Sequence, residues 1–275
     1  MESSTDGSDE SPARALVVVQ AGSAGPATYC FHAFGGSVAP YGQLATHLGR
    51  DRRLFGLQAV GLHPGTAPHR SVLAMAHRYA MEIADDAPVG PAVFLGYSMG
   101  GQLALETARL LTNLLDEPPL VVAVDSDPRY RSQRPEDAWS LLVHQVLNLD
   151  SPVPGLSARP RTEALAAVRA AAAAERKLPP RFSLERLARM ADVCQANERA
   201  AAQYRPQPYA GRTASVRSTA TAAGLTPSAP DPWAEYVPHL VTRYVPGDHH
   251  SIMTKAGYPL LAAVIRELLD TVPTR

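Results

Sequence analysis

Short apolar runs alternate with helix-forming segments along most of this chain, and that alternation restricts the fold more than any single residue does. Ala15 to Gln20 (ALVVVQ), Thr28 to Ala33 (TYCFHA), Leu54 to Val60 (LFGLQAV), Ala92 to Tyr97 (AVFLGY) and Leu120 to Val124 (LVVAV) have the length of strands. They are apolar almost throughout, as strands are when helices cover both faces of a sheet. Between them lie helical segments over Pro40 to Leu48, Val72 to Asp85 and Gly101 to Leu115. Val72, Met75, Ala76, Tyr79 and Ile83 recur at helical spacing. Leu103, Leu110, Leu111 and Leu114 are the candidates for the buried face of the third helix. The stretch AGSAGP reads as a turn and GLHPGTAPHR as a polar loop. Repeated strand–helix–strand units predict an α/β fold with a mainly parallel central sheet flanked by helices.

The pattern changes near residue 130. Helical stretches at Asp137 to Leu147, Thr162 to Lys177 and Ser183 to Gln203 follow with no convincing strand among them, and Pro206 and Pro208 close the block. An all-helical insertion in an α/β frame often caps the functional site, so residues 132–204 are read as a helical lid. Strands then resume at Arg212 to Ala220 and Leu240 to Val245, with a flexible-looking loop at Thr221 to Asp231 and a last helix over Tyr258 to Asp270. The core is therefore assigned to residues 15–131 and 205–275, and residues 1–14 to a disordered leader or interdomain linker.

Composition excludes several classes of function. Lys+Arg and Asp+Glu are both 26, with no basic block, so a nucleic-acid partner is not expected. No apolar run approaches the ~18 residues of a membrane span. The start, MESSTDGSDESPAR, lacks the basic and apolar regions of a signal peptide, which points to the cytoplasm. Cys30 and Cys194 are far apart and have no metal-ligand spacing, so neither a metal site nor a disulfide is expected. Cys30 lies in the second expected strand and reads as a small buried hydrophobe.

Gly96-Tyr97-Ser98-Met99-Gly100 stands between the strand AVFLGY and a helix. Gly-x-Ser-x-Gly alone is a modest signal, and a glycine-rich corner that holds a phosphate is the rival reading. Placement at a strand-to-helix turn is what a nucleophilic serine requires, because the turn exposes Oγ at the sheet edge and the glycines relieve the crowding. The following helix also aims its first N–H groups at the site, which suits developing negative charge. A nucleophilic Ser98 needs a base and an acid to orient that base. Asp125 ends the next strand, so one right-handed crossover places it beside Ser98 at the carboxyl edge of the sheet. Asp127, followed by Pro128, is a weaker candidate that reads as turn chemistry. Gly247-Asp248-His249-His250 follows the last strand; His249 is favoured as the base over His250, and Asp248 as a loop-fixing hydrogen bonder. The other seven histidines fall in loops or on helix surfaces, and of these His32 borders the loop expected to shape an oxyanion site. Its donors are read as the backbone N–H groups of Met99 and of Phe34, with Ala33 next after Phe34.

Taken together, Tyr29 to Ser37 (YCFHAFGGS), Phe55 to Ala59 (FGLQA), Met75 to Tyr79 (MAHRY), Gly96 to Gly101 (GYSMGG), Val124 to Ser126 (VDS), Asn197 to Gly211 (NERAAAQYRPQPYAG) and Gly247 to His249 (GDH) resemble the α/β-hydrolase thioesterase domains that end nonribosomal peptide synthetase and polyketide assembly lines. The resemblance spans about residues 15–270. It implies an α/β-hydrolase fold with Ser98 as acyl acceptor, Asp125 as acid, His249 as general base and residues 132–204 as lid. It also implies a substrate delivered on the phosphopantetheine of an acyl or peptidyl carrier protein domain, no cofactor bound by this chain, and release by hydrolysis or macrocyclisation. The free-standing editing thioesterases resembled place their acid later, where this chain has Asp231 in SAPDPWAEY; Asp125 is preferred because it ends a strong strand. The family often has Pro-Ala where this chain has Ala33-Phe34, which puts a bulky side chain by the oxyanion loop. A free-standing editing enzyme and a carboxylesterase acting on small oxygen esters are the alternatives.

Overall fold

The computed structural model describes residues 13–86, 90–115, 117–130, 138–179, 181–224 and 230–273. Most of the expected leader, Asp137 and the centre of the 221–231 loop lie outside the described residues. Seven strands form one sheet: β1 (Leu16–Gln20), β2 (Ala24–Phe31), β3 (Arg52–Leu57), β4 (Ala92–Tyr97), β5 (Leu120–Val124), β6 (Thr213–Ser218) and β7 (Leu240–Val245). Their order is β1-β3-β2-β4-β5-β6-β7. Only the edge pair β1–β3 is antiparallel; the other five pairs are parallel, as the alternation predicts.

Side chains along the strands alternate between two cores, as the pleat dictates. Tyr29, Phe31, Phe94, Val121 and Ala123 face one side. They pack there with α2 (Val72–Asp86) and α3 (Gly100–Leu111), two helices that also contact each other. Cys30, Leu54, Val93, Leu95, Val122 and Val124 face the other side, under α1 (Ala39–Leu48) and α8 (Tyr258–Leu269). Burial on both faces is why β4 and β5 read as unbroken apolar runs.

The helical block consists of a short α4 (Ala138–Ser140) that continues as a π-helical stretch over Leu141–Val146, then α5 (Arg161–Ala174) and α6 (Leu184–Gln203). Its core residues, among them Leu142, Leu165, Val168, Leu187 and Cys194, belong to the same cluster as α2 and α3. Ser183 caps α6 by accepting from the Arg186 N–H at 3.1 Å. A five-residue α7 (Thr219–Ala223) follows β6 and occupies the start of the segment expected to be loop.

Two boundaries differ from the sequence reading in ways that packing explains. β2 begins at Ala24, inside the expected turn, because Ser23 and Ala24 N–H groups both bond the Asp51 carbonyl and Ala24 pairs with Arg52. α3 ends at Leu111, so Leu114 lies beyond it, 71% exposed, and Leu110 is only half-buried. Leu103 and Leu111 are buried as expected, and Gly100, Ala104, Leu105 and Ala108 are buried too, because the helix is covered on several sides. No helix among the described residues is long and apolar enough to cross a membrane.

Candidate active site

Ser98 stands in the one-turn corner between β4 and α3 with φ of 57°, the left-handed region. For an L-residue that conformation costs roughly 1–2 kcal/mol. The surrounding bonds hold it. The Ser98 N–H extends the sheet ladder to the Val124 carbonyl at 2.9 Å, and the Ser98 carbonyl accepts from Gly101 N–H at 3.1 Å. Tyr41 ties the ends of β2 and β4 together, donating to the Phe31 carbonyl at 2.7 Å and accepting from the Tyr97 N–H at 2.9 Å. Gly96 and Gly100 are required by space: a Cβ at Gly96 would lie 2.0 Å from the Gly100 carbonyl oxygen, and one at Gly100 would lie 2.5 Å from that of Phe31.

Asp125 hangs off the end of β5 in the same way, with φ of 43° and its N–H bonded to the Val216 carbonyl at 2.7 Å. Its carboxylate is almost fully used. Oδ1 accepts from the Ser218 N–H at 2.8 Å, and Oδ2 from the Thr221 hydroxyl at 2.9 Å and from His249 Nδ1–H at 2.8 Å. Burial by itself raises this carboxyl, but the hydrogen bonds from His249, Ser218 and Thr221 outweigh it and hold the group below its ordinary value. With Nδ1 donating to a carboxylate, neutral His249 keeps Nε2 as a free acceptor.

His249 is fixed from a second direction by Tyr97, the variable residue of Gly-x-Ser. The two rings stack at 4.8 Å with 26° between planes, and the Tyr97 hydroxyl donates to the His249 carbonyl at 2.5 Å. Asp248 shapes the loop, its Oδ1 accepting from the N–H groups of His250 at 3.0 Å and Ser251 at 2.9 Å. His250 meets His249 edge-on at 5.4 Å but is not bonded to Asp125. Burial and the neighbouring His249 lower its pKa.

Asp231 is engaged elsewhere. It pairs with the buried guanidinium of Arg217 at 3.3 Å and accepts from the Trp233 N–H at 3.0 Å. Asp127 accepts at 2.9 Å from the same Arg217 Nη2 that reaches Asp231. Neither acid bonds a histidine among the described residues. Burial raises the Asp231 carboxyl, and Arg217 leads the bonds that bring it back below the ordinary range.

Ser98, Met99, Asp125, His249 and Phe34 line one cavity of about 680 Å³. Neither the Met99 nor the Phe34 N–H meets a protein acceptor among the described residues. Phe34 packs edge-on against Tyr130 at 4.9 Å, so its ring forms part of the cavity wall. His32, read from sequence as a surface or loop histidine, is fully buried instead: Nδ1–H donates to the Ala33 carbonyl at 2.8 Å, and Nε2 accepts from the Tyr79 hydroxyl at 2.7 Å. Burial lowers its pKa to about 4, so it is neutral near pH 7. Thr221 and the second contacts of Tyr97 carry no sequence signal, because each depends on a partner distant in the chain. Among the described residues no group of three or more His, Cys, Asp or Glu could hold a metal ion.

The chain as a whole is similar to known proteins. The thioesterase domain family matches residues 27–270. The dimodular nonribosomal peptide synthase of Bacillus subtilis (strain 168) is 26% identical over 236 residues, covering 84% of this chain and 10% of that protein. The chain spans about a tenth or less of the length of the curated relatives it first matches. Among solved structures, a four-domain nonribosomal peptide synthetase, holo-AB3403, superposes with a TM-score of 0.80 at 24% identity, covering 94% of this chain and 20% of that one. A covalent complex of the NocB thioesterase domain with a fluorophosphonate nocardicin G analogue gives a TM-score of 0.61 at 25% identity, covering 90% of this chain and 95% of that one. With a family match over nearly the whole chain and an α/β-hydrolase sheet beneath it, this chain belongs to the thioesterase domain family.

Proposed function

We propose that this chain is a serine thioesterase of the cytoplasm that takes a peptidyl or polyketidyl chain from the phosphopantetheine thioester of a carrier-protein domain and releases it. The observation that carries the reading is the 2.8 Å bond from His249 Nδ1–H to Asp125 in the cavity that Ser98 also lines. In the first half-reaction His249 Nε2 takes the Ser98 hydroxyl proton as Oγ bonds to the thioester carbonyl carbon. The carbonyl oxygen becomes an oxyanion facing the N–H groups of Met99 and Phe34. Collapse breaks the C–S bond, and the departing thiolate takes the proton from His249. In the second half-reaction a water, or a hydroxyl or amine of the acyl chain itself, gives its proton to His249 as it bonds to the acyl carbon; collapse then breaks the bond from that carbon to Ser98 Oγ, which takes the proton back from His249. One oxyanion donor is typically worth roughly 10²–10³ in rate. The block at 138–203 then acts as a lid, part of the 132–204 insertion, whose seating over the cavity sets the competition between water and a folded chain.

The test is intact-protein mass spectrometry after mixing with an acyl thioester of a truncated phosphopantetheine mimic. An acyl mass added to the wild type and absent from Ser98→Ala is the expected result. Thiol release at equal rates from both proteins would overturn the mechanism. Matched oxygen esters turned over with kcat/KM well above that for the thioester would favour a carboxylesterase.

A further inference from the structure

Asn197 lies in α6 within NERAAAQYRPQPYAG, and the chemistry above leaves it without a task. It is 1% exposed. Nδ2–H donates to the Phe34 carbonyl at 2.9 Å, across 163 residues of sequence. Its Oδ1 is buried with no partner among the described residues. An unpaired buried acceptor is unfavourable, and an aliphatic side chain of similar size would fill the same space without one. What the amide adds is the bond to Phe34.

That bond completes a clamp around one peptide. The Ala33 carbonyl is held from the core side by His32 Nδ1–H at 2.8 Å and by the Gly36 N–H at 2.9 Å. The peptide is planar and trans, so the Ala33 carbonyl and the Phe34 N–H point in opposite directions. Fixing the first aims the second. Asn197 fixes the next carbonyl, so Phe34 is gripped on both sides. The grip on the far side comes from the helical block, which is seated on the core by the Tyr204 hydroxyl on Glu106 at 2.9 Å and by Arg189 on the Leu62 carbonyl at 3.1 Å.

We infer that Asn197 is a positioning residue that holds the Phe34 N–H in register for the oxyanion. The inference rests on the reading of Phe34 as an oxyanion donor. A displacement of about 1 Å in such a group costs about 10²-fold in rate. Asn197→Leu is therefore expected to lower kcat on the acyl thioester about 10- to 100-fold with KM little changed. Affinity for a trifluoromethyl ketone analogue of the substrate, which forms a tetrahedral oxyanion on the serine, is expected to fall by the same factor. Asn197→Ala, which cannot overfill the space, is measured in parallel, and thermal unfolding identifies a variant that has lost its fold. Tyr204→Phe loosens the block without touching the Phe34 peptide and is expected to retain more activity than Asn197→Leu. A rise in KM alone, unchanged ketone affinity, or an equal kcat loss in Tyr204→Phe would overturn the positioning role. Ser98→Ala beside them separates the two readings. If it is dead while folded Asn197 variants run at the wild-type rate, the positioning role alone fails; if Ser98→Ala still turns over, the site reading fails and the positioning role with it.

Discussion

Asp125 and Asp231 are both buried acids near the end of the sheet, and their partners separate their effects. Asp125 holds a histidine and Asp231 holds an arginine. Asp125→Asn leaves an amide that cannot accept and orient the His249 proton in the same way, and kcat is expected to fall by on the order of 10⁴. Asp231→Asn is expected to leave kcat nearly unchanged and to lower stability by on the order of 3 kcal/mol, because it weakens a buried ion pair of Arg217. Steady-state kinetics and urea unfolding on both variants check the pair, and the reverse pattern would move the acid. By the same logic His249→Ala is expected to remove nearly all turnover, up to ~10⁶-fold where the triad acts as a unit. His250→Ala, which loses only an edge-on ring contact to His249 and no bond to Asp125, is expected to cost about 10-fold or less. Equal losses in the two histidine variants would show that the base is misplaced.

At the scale of elements, a strand glycine and a helix glycine make opposite predictions. Gly96 is the last but one residue of β4, where a Cβ would meet the Gly100 backbone at 2.0 Å, so Gly96→Ala must push β4 and α3 apart and disturb the Ser98 turn between them. It is expected to lose activity and stability together. Gly42 lies inside α1, where a Cβ would meet nothing within 4 Å. Gly42→Ala is expected to stabilise by roughly 0.5–1 kcal/mol without touching kcat. Urea unfolding checks both. The strands were legible because β4 and β5 are apolar on both faces, a pattern fixed by the local sequence. The strand-end positions of Ser98 and Asp125 followed from the same pattern. What the sequence could not show is where a helix is enclosed on several sides. The spacing of Leu103, Leu110, Leu111 and Leu114 suggests a single apolar stripe, yet α3 buries Glu106 fully, paired with Arg109 at 2.6 Å and bonded by Tyr204 of the helical block. That bond joins residues 98 positions apart, as Asn197 joins Phe34 across 163, and no periodicity encodes such a distance.

For the whole molecule, acid stability is the property on which these buried groups act together. Unfolded His32 takes up a proton near pH 6.5. In the folded protein it resists protonation until about pH 4, since burial disfavours the charged ring between the Ala33 carbonyl and the Tyr79 hydroxyl, with His69 nearby adding a further opposing charge. Between those values the unfolded chain binds more protons than the folded one, so stability falls as pH falls through this window. Across the full window His32 contributes roughly 3 kcal/mol of that loss. His69 and His250 are also lowered, chiefly by burial, and act in the same direction. Asp125 and Asp231 act later. Their folded values lie below the ordinary carboxylate range, so their contribution is intact above about pH 4 and is lost only as pH drops through the folded values. Stability is therefore expected to decline in two stages on acidification, the first beginning near pH 6.5 while both carboxylates are still ionised. Thermal midpoints measured from pH 8 to pH 3 on the wild type and on His32→Gln test this. The variant, whatever its midpoint at pH 8, is expected to show a flatter slope between pH 6.5 and 4 and an unaltered second stage. An identical slope in the two proteins would mean that the protons of the first stage are bound by other groups.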